Sequence, residues 1–192
     1  MISMVISALP IISACILNTF FLKTPLFQTL NRPIDNNIIL KDGRRLFGNN
    51  KTWRGFWGMV FLSSICVILS GQIGRQFPFF QRNNLLYTNY ENDFFYNLMI
   101  GLLLGLAYVV FELPNSFIKR RIGIQPGKSQ INGLGLLFIV LDQIDSLIGC
   151  VLVISIVHPM SISFYFSFVF LGGAIHITLS SLFFLIKLRK NF

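Results

Sequence analysis

The sequence predicts an all-α membrane protein, a bundle of about five transmembrane helices with a basic cytoplasmic loop. Three observations predict it. Five apolar stretches each reach the roughly 20 residues that a helix needs to cross a hydrocarbon core. The 192 residues are 54% hydrophobic and only 12% charged, with a mean hydropathy of +0.68, which is more apolar surface than the interior of a water-soluble domain of this length can hold. Basic residues fall in alternate connections between the stretches, as they do when Lys and Arg collect on the cytoplasmic side of a membrane.

The first stretch runs approximately from Ile2 to Leu22. No basic residue precedes it and no small-residue cleavage pattern ends it, so it is expected to be a retained helix and not a signal peptide. A loop over about 23–54 follows, with Lys23, Arg32, Lys41, Arg44, Arg45, Lys51 and Arg54. The second stretch spans Gly55 to Gly74, and Arg75 and Arg82 beyond it are offset by Glu91 and Asp93. The third spans Phe94 to Leu113. Pro114 then predicts an end or a kink, because proline disfavours helix continuation, and Asn115 or Ser116 would cap whatever helix begins next. A second basic loop, about 115–131, carries Lys119, Arg120, Arg121 and Lys128. The fourth stretch is Leu134 to Val157, the fifth Ile162 to Ile186, with no charge between them and Lys187, Arg189 and Lys190 after them. In all, 14 of the 16 basic residues lie on one side. An odd number of spans with the N-terminus outside reproduces this, so residues 1–192 read as a single integral domain of the cell (inner) membrane with its working face toward the cytoplasm.

The net charge of +9 does not point to nucleic acid. The cations sit beside spans and lack the interleaved aromatics of a nucleic-acid surface. Cys15, Cys66 and Cys150 each fall within a span without metal-ligand spacing, and read as small buried hydrophobes. His158 is expected in an outer loop and His176 in a packing role within the fifth span.

Chemistry concentrates in three places. Residues 41–54 hold five Lys or Arg with Gly43, Gly48 and Gly55 and the amides of Asn49 and Asn50. Guanidinium forks bind phosphate oxygens in pairs, and glycines let backbone N–H groups approach. The plainer alternative is a basic loop lying on anionic lipid. Second, a helix starting near Asn115 or Ser116 would place Lys119 and Arg120 one turn in, where an anion is favoured. Snorkelling explains those cations but not Glu112. Third, Asp142 and Asp145 lie inside the fourth apolar stretch. At i, i+3 they share a helix face and repel unless a cation lies between them. One charge in a span costs at least about 2.5 kcal/mol, so such residues usually face a polar cavity and mark function. Magnesium suits the pair, since it takes oxygen ligands from one or two carboxylates plus substrate phosphates. Together these features describe phosphate chemistry on a nucleotide, with a membrane lipid as the other substrate.

The stretch Asp42-Gly43-Arg44-Arg45 with Lys51-Thr52-Trp53-Arg54-Gly55, then Ser116-Phe117-Ile118-Lys119-Arg120-Arg121 with Gly123-Ile124 and Pro126-Gly127, then Leu141-Asp142-Gln143-Ile144-Asp145, closely resembles the CDP-archaeol synthase family. Through the Ser-x-x-Lys-Arg and Asp-x-x-Asp elements it also looks like the wider phosphatidate cytidylyltransferase group. The resemblance covers roughly Pro33 to Gly149, in order and between the right spans. It implies a five-helix membrane fold and a magnesium-dependent transfer of CMP from CTP to a lipid phosphate, giving a CDP-lipid and pyrophosphate. Under it Asp142 and Asp145 hold the metal, with Glu112 as a further ligand directly or through water. Asp42, Gly43, Arg44, Arg45, Lys51, Thr52, Arg54, Asn115 and Ser116 form the substrate-binding set, and Lys119 and Arg120 steady the leaving pyrophosphate. Family members typically show Gly-Asp where this chain has Phe111-Glu112. CTP, a lipid phosphate and membrane lipids are the implied partners, and homo-oligomerisation stays open. A non-catalytic lipid-binding protein or a small-molecule transporter is the alternative from another class.

Overall fold

The computed structural model describes residues 1–126 and 133–185. Gly127, Lys128, Ile186, Lys187, Arg189 and Lys190, invoked above, lie outside the described residues. Five of the helices are long and apolar enough to cross a membrane: α1 (Ile2–Phe21), α2 (Trp53–Gln76), α4 (Phe94–Arg121), α5 (Gly133–Val157) and α6 (Ile162–Leu185), with a short α3 (Pro78–Asn83) between α2 and α4. Two isolated bridges, Pro33 with Thr52 and Ile39 with Arg45, are the nearest approach to β-structure among the described residues.

Local chemistry sets several helix ends. The Thr52 hydroxyl accepts from Gly55 N at 3.2 Å and starts α2, and the Asp93 carboxylate accepts from Tyr96 N at 2.9 Å and starts α4. Each supplies an oxygen to an otherwise unsatisfied first-turn N–H. Of the end or kink expected at Pro114, the end is corrected: α4 runs through it to Arg121, 28 residues in all, so 115–121 are helix and not loop. At 1.5 Å per residue that is about 42 Å, roughly two turns more than a bilayer core requires. Side-chain anchors hold the extra turns. Asn115, Lys119 and Arg121 each bond to α5 or to the loop 22–52, and a proline is tolerated within a membrane helix when neighbours take over such restraint.

The helices pack in the order α1, α2, α4, α5, α6, and α1 also touches α6. Lipid tails are as apolar as leucine, so close packing and not water exclusion drives association here. Gly101 and Gly105 of α4 let the backbone of α2 come close: a Cβ on Gly105 would lie 2.6 Å from Val60 Cα. Ser63 Oγ donates to the Gly101 carbonyl at 2.5 Å across that seam. Met59, Val60, Val67 and Leu104 form its fully buried core, while Phe61, Leu69, Met99, Ile156 and Phe170 face outward as lipid-contacting surface.

The two ends of the bundle differ. At one, Leu85 and Leu86 plug the helices, held by Leu85 N donating to Ser7 Oγ at 2.8 Å and Leu86 N to Asn84 Oδ1 at 3.1 Å. At the other, the long basic loop folds over the C-terminal turns of α4 and the side of α2, and leaves polar groups reachable.

Candidate active site

Along α4, Glu112, Asn115, Ser116 and Lys119 fall at i, i+3, i+4 and i+7 and so form one stripe. That stripe faces Asp142 and Asp145 of α5. Asn115 Nδ2 donates to Asp142 Oδ1 and to Asp145 Oδ2, each at 2.7 Å. Lys119 Nζ meets Asp142 Oδ2 at 2.5 Å. Asp145 Oδ1 accepts from Ser146 N at 2.6 Å and Ser146 Oγ at 3.1 Å. The two carboxylates differ in access: Asp145 is 7% exposed, whereas the Asp142 side chain is 40% exposed. One anchors and the other is open to a ligand.

A divalent cation fits this donor set. Two carboxylate oxygens converge on a single point, which the Asn115 amide nitrogen fills as a stand-in for positive charge. The buried Asn115 Oδ1 has no partner, so a half-turn of the amide would present a third oxygen. Among the described residues no three His, Cys, Asp or Glu side chains group closely enough to enclose a metal. Glu112 therefore does not join the aspartates in a cluster; its carboxylate meets Lys51 Nζ at 2.6 Å. Hard divalent ions with only two protein carboxylates take their remaining oxygens from water and phosphate.

The loop is organised around Asp35, whose carboxylate is fully buried in an ion pair with Arg45. It also accepts from Asn37 N at 3.1 Å and from Phe47 N and Gly48 N at 3.0 Å each. Burial alone would raise its pKa, but the Arg45 guanidinium and the N–H groups of Gly48, Phe47 and Asn37 outweigh that and bring it down to about 2. Sequence inspection gives Asp35 no role. The available signal is Asp35-Asn36-Asn37, because an Asp that bonds the N–H two residues on makes an Asx turn.

The arginines divide by task. Arg44 Nη1 donates to the carbonyls of Arg120 and Arg121, the C-terminal end of α4. Arg121 returns the contact to Asp42 Oδ2 at 2.5 Å and to the carbonyls of Arg44 and Arg45. Gly43, at φ +73°, makes the turn that places Asp42 and Arg44 for this clamp. Arg54, expected among the phosphate ligands, is 3% exposed and turned away. Its guanidinium donates to the carbonyls of Leu22 at 3.1 Å and of Phe21 and Thr24 at 2.7 Å, satisfying orphan carbonyls at the end of α1. Arg120 is different. It is 8% exposed, and its Nε and Nη1 have no partner, a costly state that an anion would relieve.

Beside Lys51 and Glu112 lies a cavity of about 170 Å³ bordered by Asn18, Thr19, Thr52 and Tyr108 as well. Thus Lys51, Thr52, Glu112, Asn115, Lys119, Asp142 and Asp145 come together, with Arg120 and the buried Ser116 on the adjoining turn of α4. Arg45, Asp42, Gly43 and Arg44 build the loop above them, and Arg54 serves α1. The α1 residues Asn18 and Thr19 are additions that spacing did not reveal.

Residues 2–191 match a family model described as CarS-like: CDP-archaeol synthase. The chain is similar to the CDP-archaeol synthase of Pyrococcus furiosus, 34% identical over 95 residues covering 50% of this chain and 48% of that protein. It is similar to that of Thermococcus kodakarensis, 32% over 126 residues covering 66% and 61%, and to that of Archaeoglobus fulgidus, 30% over 152 residues covering 75% and 76%. The chain thus spans about half to three fifths of the length of the first curated relatives it matches. It also resembles a solved structure described as "Structural insight into an intramembrane enzyme for archaeal membrane lipids biosynthesis", with a TM-score of 0.61 and 22% identity over 92% of this chain and 91% of that one. That likeness shows the same fold.

Proposed function

The chain belongs to the CDP-archaeol synthase family, and from that premise we propose that it transfers CMP from CTP to a membrane lipid phosphate, releasing pyrophosphate and leaving a CDP-lipid. The observation that carries this is the pair Asp142 and Asp145 converging on one point between α4 and α5, within reach of Lys119 and beneath an arginine-rich loop. The basic connections support a site facing the cytoplasm, where CTP is available, and an N-terminus outside.

An oxygen of the lipid phosphate attacks the α-phosphorus of CTP. That P–O bond forms as the bond to the β-phosphate oxygen breaks, and pyrophosphate leaves with the electron pair. The attacking oxygen is already anionic, so no strong base is needed. Repulsion between two anions limits the rate, and catalysis reduces to neutralising charge and aligning attacker with leaving group. Magnesium held by Asp142 and Asp145 would supply Lewis-acid neutralisation of phosphate oxygens. Asn115 holds the two carboxylates at one spacing. Arg120, with unspent buried donors, and Lys119 take the leaving pyrophosphate. Lys51 exchanges Glu112 for the lipid phosphate.

The test incubates purified protein in detergent with CTP, magnesium and a panel of ether-linked, acyl and prenyl phosphates, and reads CDP-lipid and pyrophosphate by mass. Formation of a CDP-lipid from at least one of them is the expected result. No product from any lipid, together with solute movement in liposomes, would replace this function with transport.

A further inference from the structure

The chain does not pass straight into water where α1 ends. Lys23 N and Thr24 N donate to the carbonyls of Phe20 and Phe21 at 2.9 and 3.1 Å, which turns the backbone. Beyond the turn the Phe27 ring stands beside that of Phe21, with centroids 6.3 Å apart. Phe21 is the last residue of a membrane-spanning helix, so Phe27 returns to the level of that helix end. With Leu30, Trp57 and Phe61 the two rings border a groove of about 180 Å³. Its walls are apolar, because Arg54 beside it spends its guanidinium on the end of α1. At 1.5 Å per residue Trp57 and Phe61 lie about 6 and 12 Å along α2, where head groups give way to tails.

In this arm Leu26, Phe27 and Leu30 are 55%, 64% and 38% exposed. On α2 the exposed side chains of Trp57, Phe61, Ile65 and Leu69 recur at every fourth residue, a continuous lipid-facing stripe, and the arm prolongs it. Phe27 is held at φ +52°, the left-handed region that a bulky side chain avoids. Its tilted contact with Phe21 leaves most of the ring outside, and burial in hydrocarbon offsets the cost of that conformation. The backbone suits such a place. Leu26 N donates to Thr24 Oγ1 at 3.3 Å, and Leu30 N and Asn31 N to the carbonyls of Phe27 and Gln28 at 3.0 Å each, so these groups do not enter an apolar setting unpaired. Exposed Lys23 and Arg32 bracket the arm, and no Asp or Glu precedes Asp35. Among the described residues neither cation is in a salt bridge.

We propose that residues 24–31 form an interfacial arm lying in the leaflet on the basic side of the bundle, with anionic bilayer lipid as its partner. Leu26, Phe27 and Leu30 enter among the upper methylenes, a lipid chain fills the groove against Trp57 and Phe61, and Lys23 and Arg32 meet head-group phosphates. Charge selects this partner over a second copy of the chain, whose matching face would bring the same cations. The loop over the candidate site is then tied at both ends, to the leaflet here and to α4 through Arg44 and Arg121. No step of CMP transfer enters this argument, so the arm and the transferase function stand or fall separately.

Two measurements on the full chain in nanodiscs test this. A nitroxide on Leu26→Cys should collide more with oxygen, which partitions into hydrocarbon, than with a neutral water-soluble nickel chelate. A nitroxide on Ile65→Cys is the bilayer reference, and the unsubstituted chain labelled alike gives the background from Cys15, Cys66 and Cys150. In Trp53→Phe protein, quenching of Trp57 by brominated lipids should show a preference for phosphatidylglycerol over phosphatidylcholine. Lys23→Gln and Arg32→Gln should each lower that preference about fivefold, the equivalent of about 1 kcal/mol per cation at an anionic surface. The side chains of Lys23, Leu26 and Arg32 are exposed, so these three substitutions leave the fold intact. Nickel collisions dominating at Leu26, or a lipid preference unchanged in both variants, overturns the proposal. So does nitroxide–nitroxide broadening at Leu26 that disappears on dilution with unlabelled chain, which would place a second copy on this face.

Discussion

In Asp145→Asn, folding and turnover are expected to separate. The native side chain is 7% exposed and accepts from Asn115 Nδ2 at 2.7 Å, Ser146 N at 2.6 Å and Ser146 Oγ at 3.1 Å. Asparagine keeps the shape and the oxygen that accepts from Ser146 N and Oγ, and its amide NH2 faces Asn115, whose own amide turns to present the otherwise unpartnered Oδ1. Removing a carboxylate from an apolar span recovers at least about 2.5 kcal/mol of insertion cost. Exchanging charge-assisted hydrogen bonds for neutral ones loses about 1.5–3 kcal/mol. The two nearly cancel, so the thermal midpoint in detergent stays within about 4 °C of the parent. Turnover loses an interaction aimed at charge that develops on the phosphates, and one such group is typically worth about 100-fold to 1,000-fold in rate. CDP-lipid formation measured by mass at saturating CTP and magnesium should fall by that factor, in Asp142→Asn as well. Undiminished turnover in both variants would refute the metal-binding role of the pair.

Arg54→Ala removes four hydrogen bonds, to the carbonyls of Phe21, Leu22 and Thr24 and to the Thr24 hydroxyl, and should destabilise the protein by about 2–4 kcal/mol while leaving the CTP KM within about twofold; an unshifted melting midpoint with a CTP KM raised tenfold would return Arg54 to the phosphates. Arg120→Ala should instead spare the melting midpoint and weaken inhibition by added pyrophosphate by about tenfold or more, as loss of a charge-assisted phosphate contact does; unchanged inhibition would show that its open donors serve another partner. For Asp35 the folded pKa lies below its ordinary 3.8, at about 2, so its contribution is fully present above about pH 4 and is lost as pH falls toward 2, about 2 kcal/mol in all. Trp53 fluorescence should report loosening of the loop across that window, and Asp35→Asn should flatten the dependence; a parent-like pH profile in the variant would contradict the buried ion pair.

The apolar spans were legible because about 20 residues without charge have few alternatives to crossing a bilayer, and Asp142 and Asp145 stood out because carboxylates are expensive there. The helix does not end at Pro114 because distant anchors override a local rule: Asn115 and Lys119 bond to α5, and Arg121 bonds to the loop. Spacing also does not say what a guanidinium will meet. Arg44 and Arg54 stand in the same basic run as Lys51, yet both close helix C-termini, whereas Lys51 borders the cavity. Asn115, read as a cap, bridges the aspartates instead. Asn18 and Thr19 carry no sequence signature, since one amide and one hydroxyl in an apolar span are as compatible with packing as with a cavity wall.

The most direct measurement follows manganese, as a spectroscopic substitute for magnesium, by electron paramagnetic resonance in purified protein with CTP. Binding with phosphorus hyperfine coupling, lost in the Asp142→Asn, Asp145→Asn double variant while the fold persists, is the predicted result. Identical manganese–CTP binding in parent and double variant would contradict the claim that these two carboxylates hold the ion on which the phosphates meet.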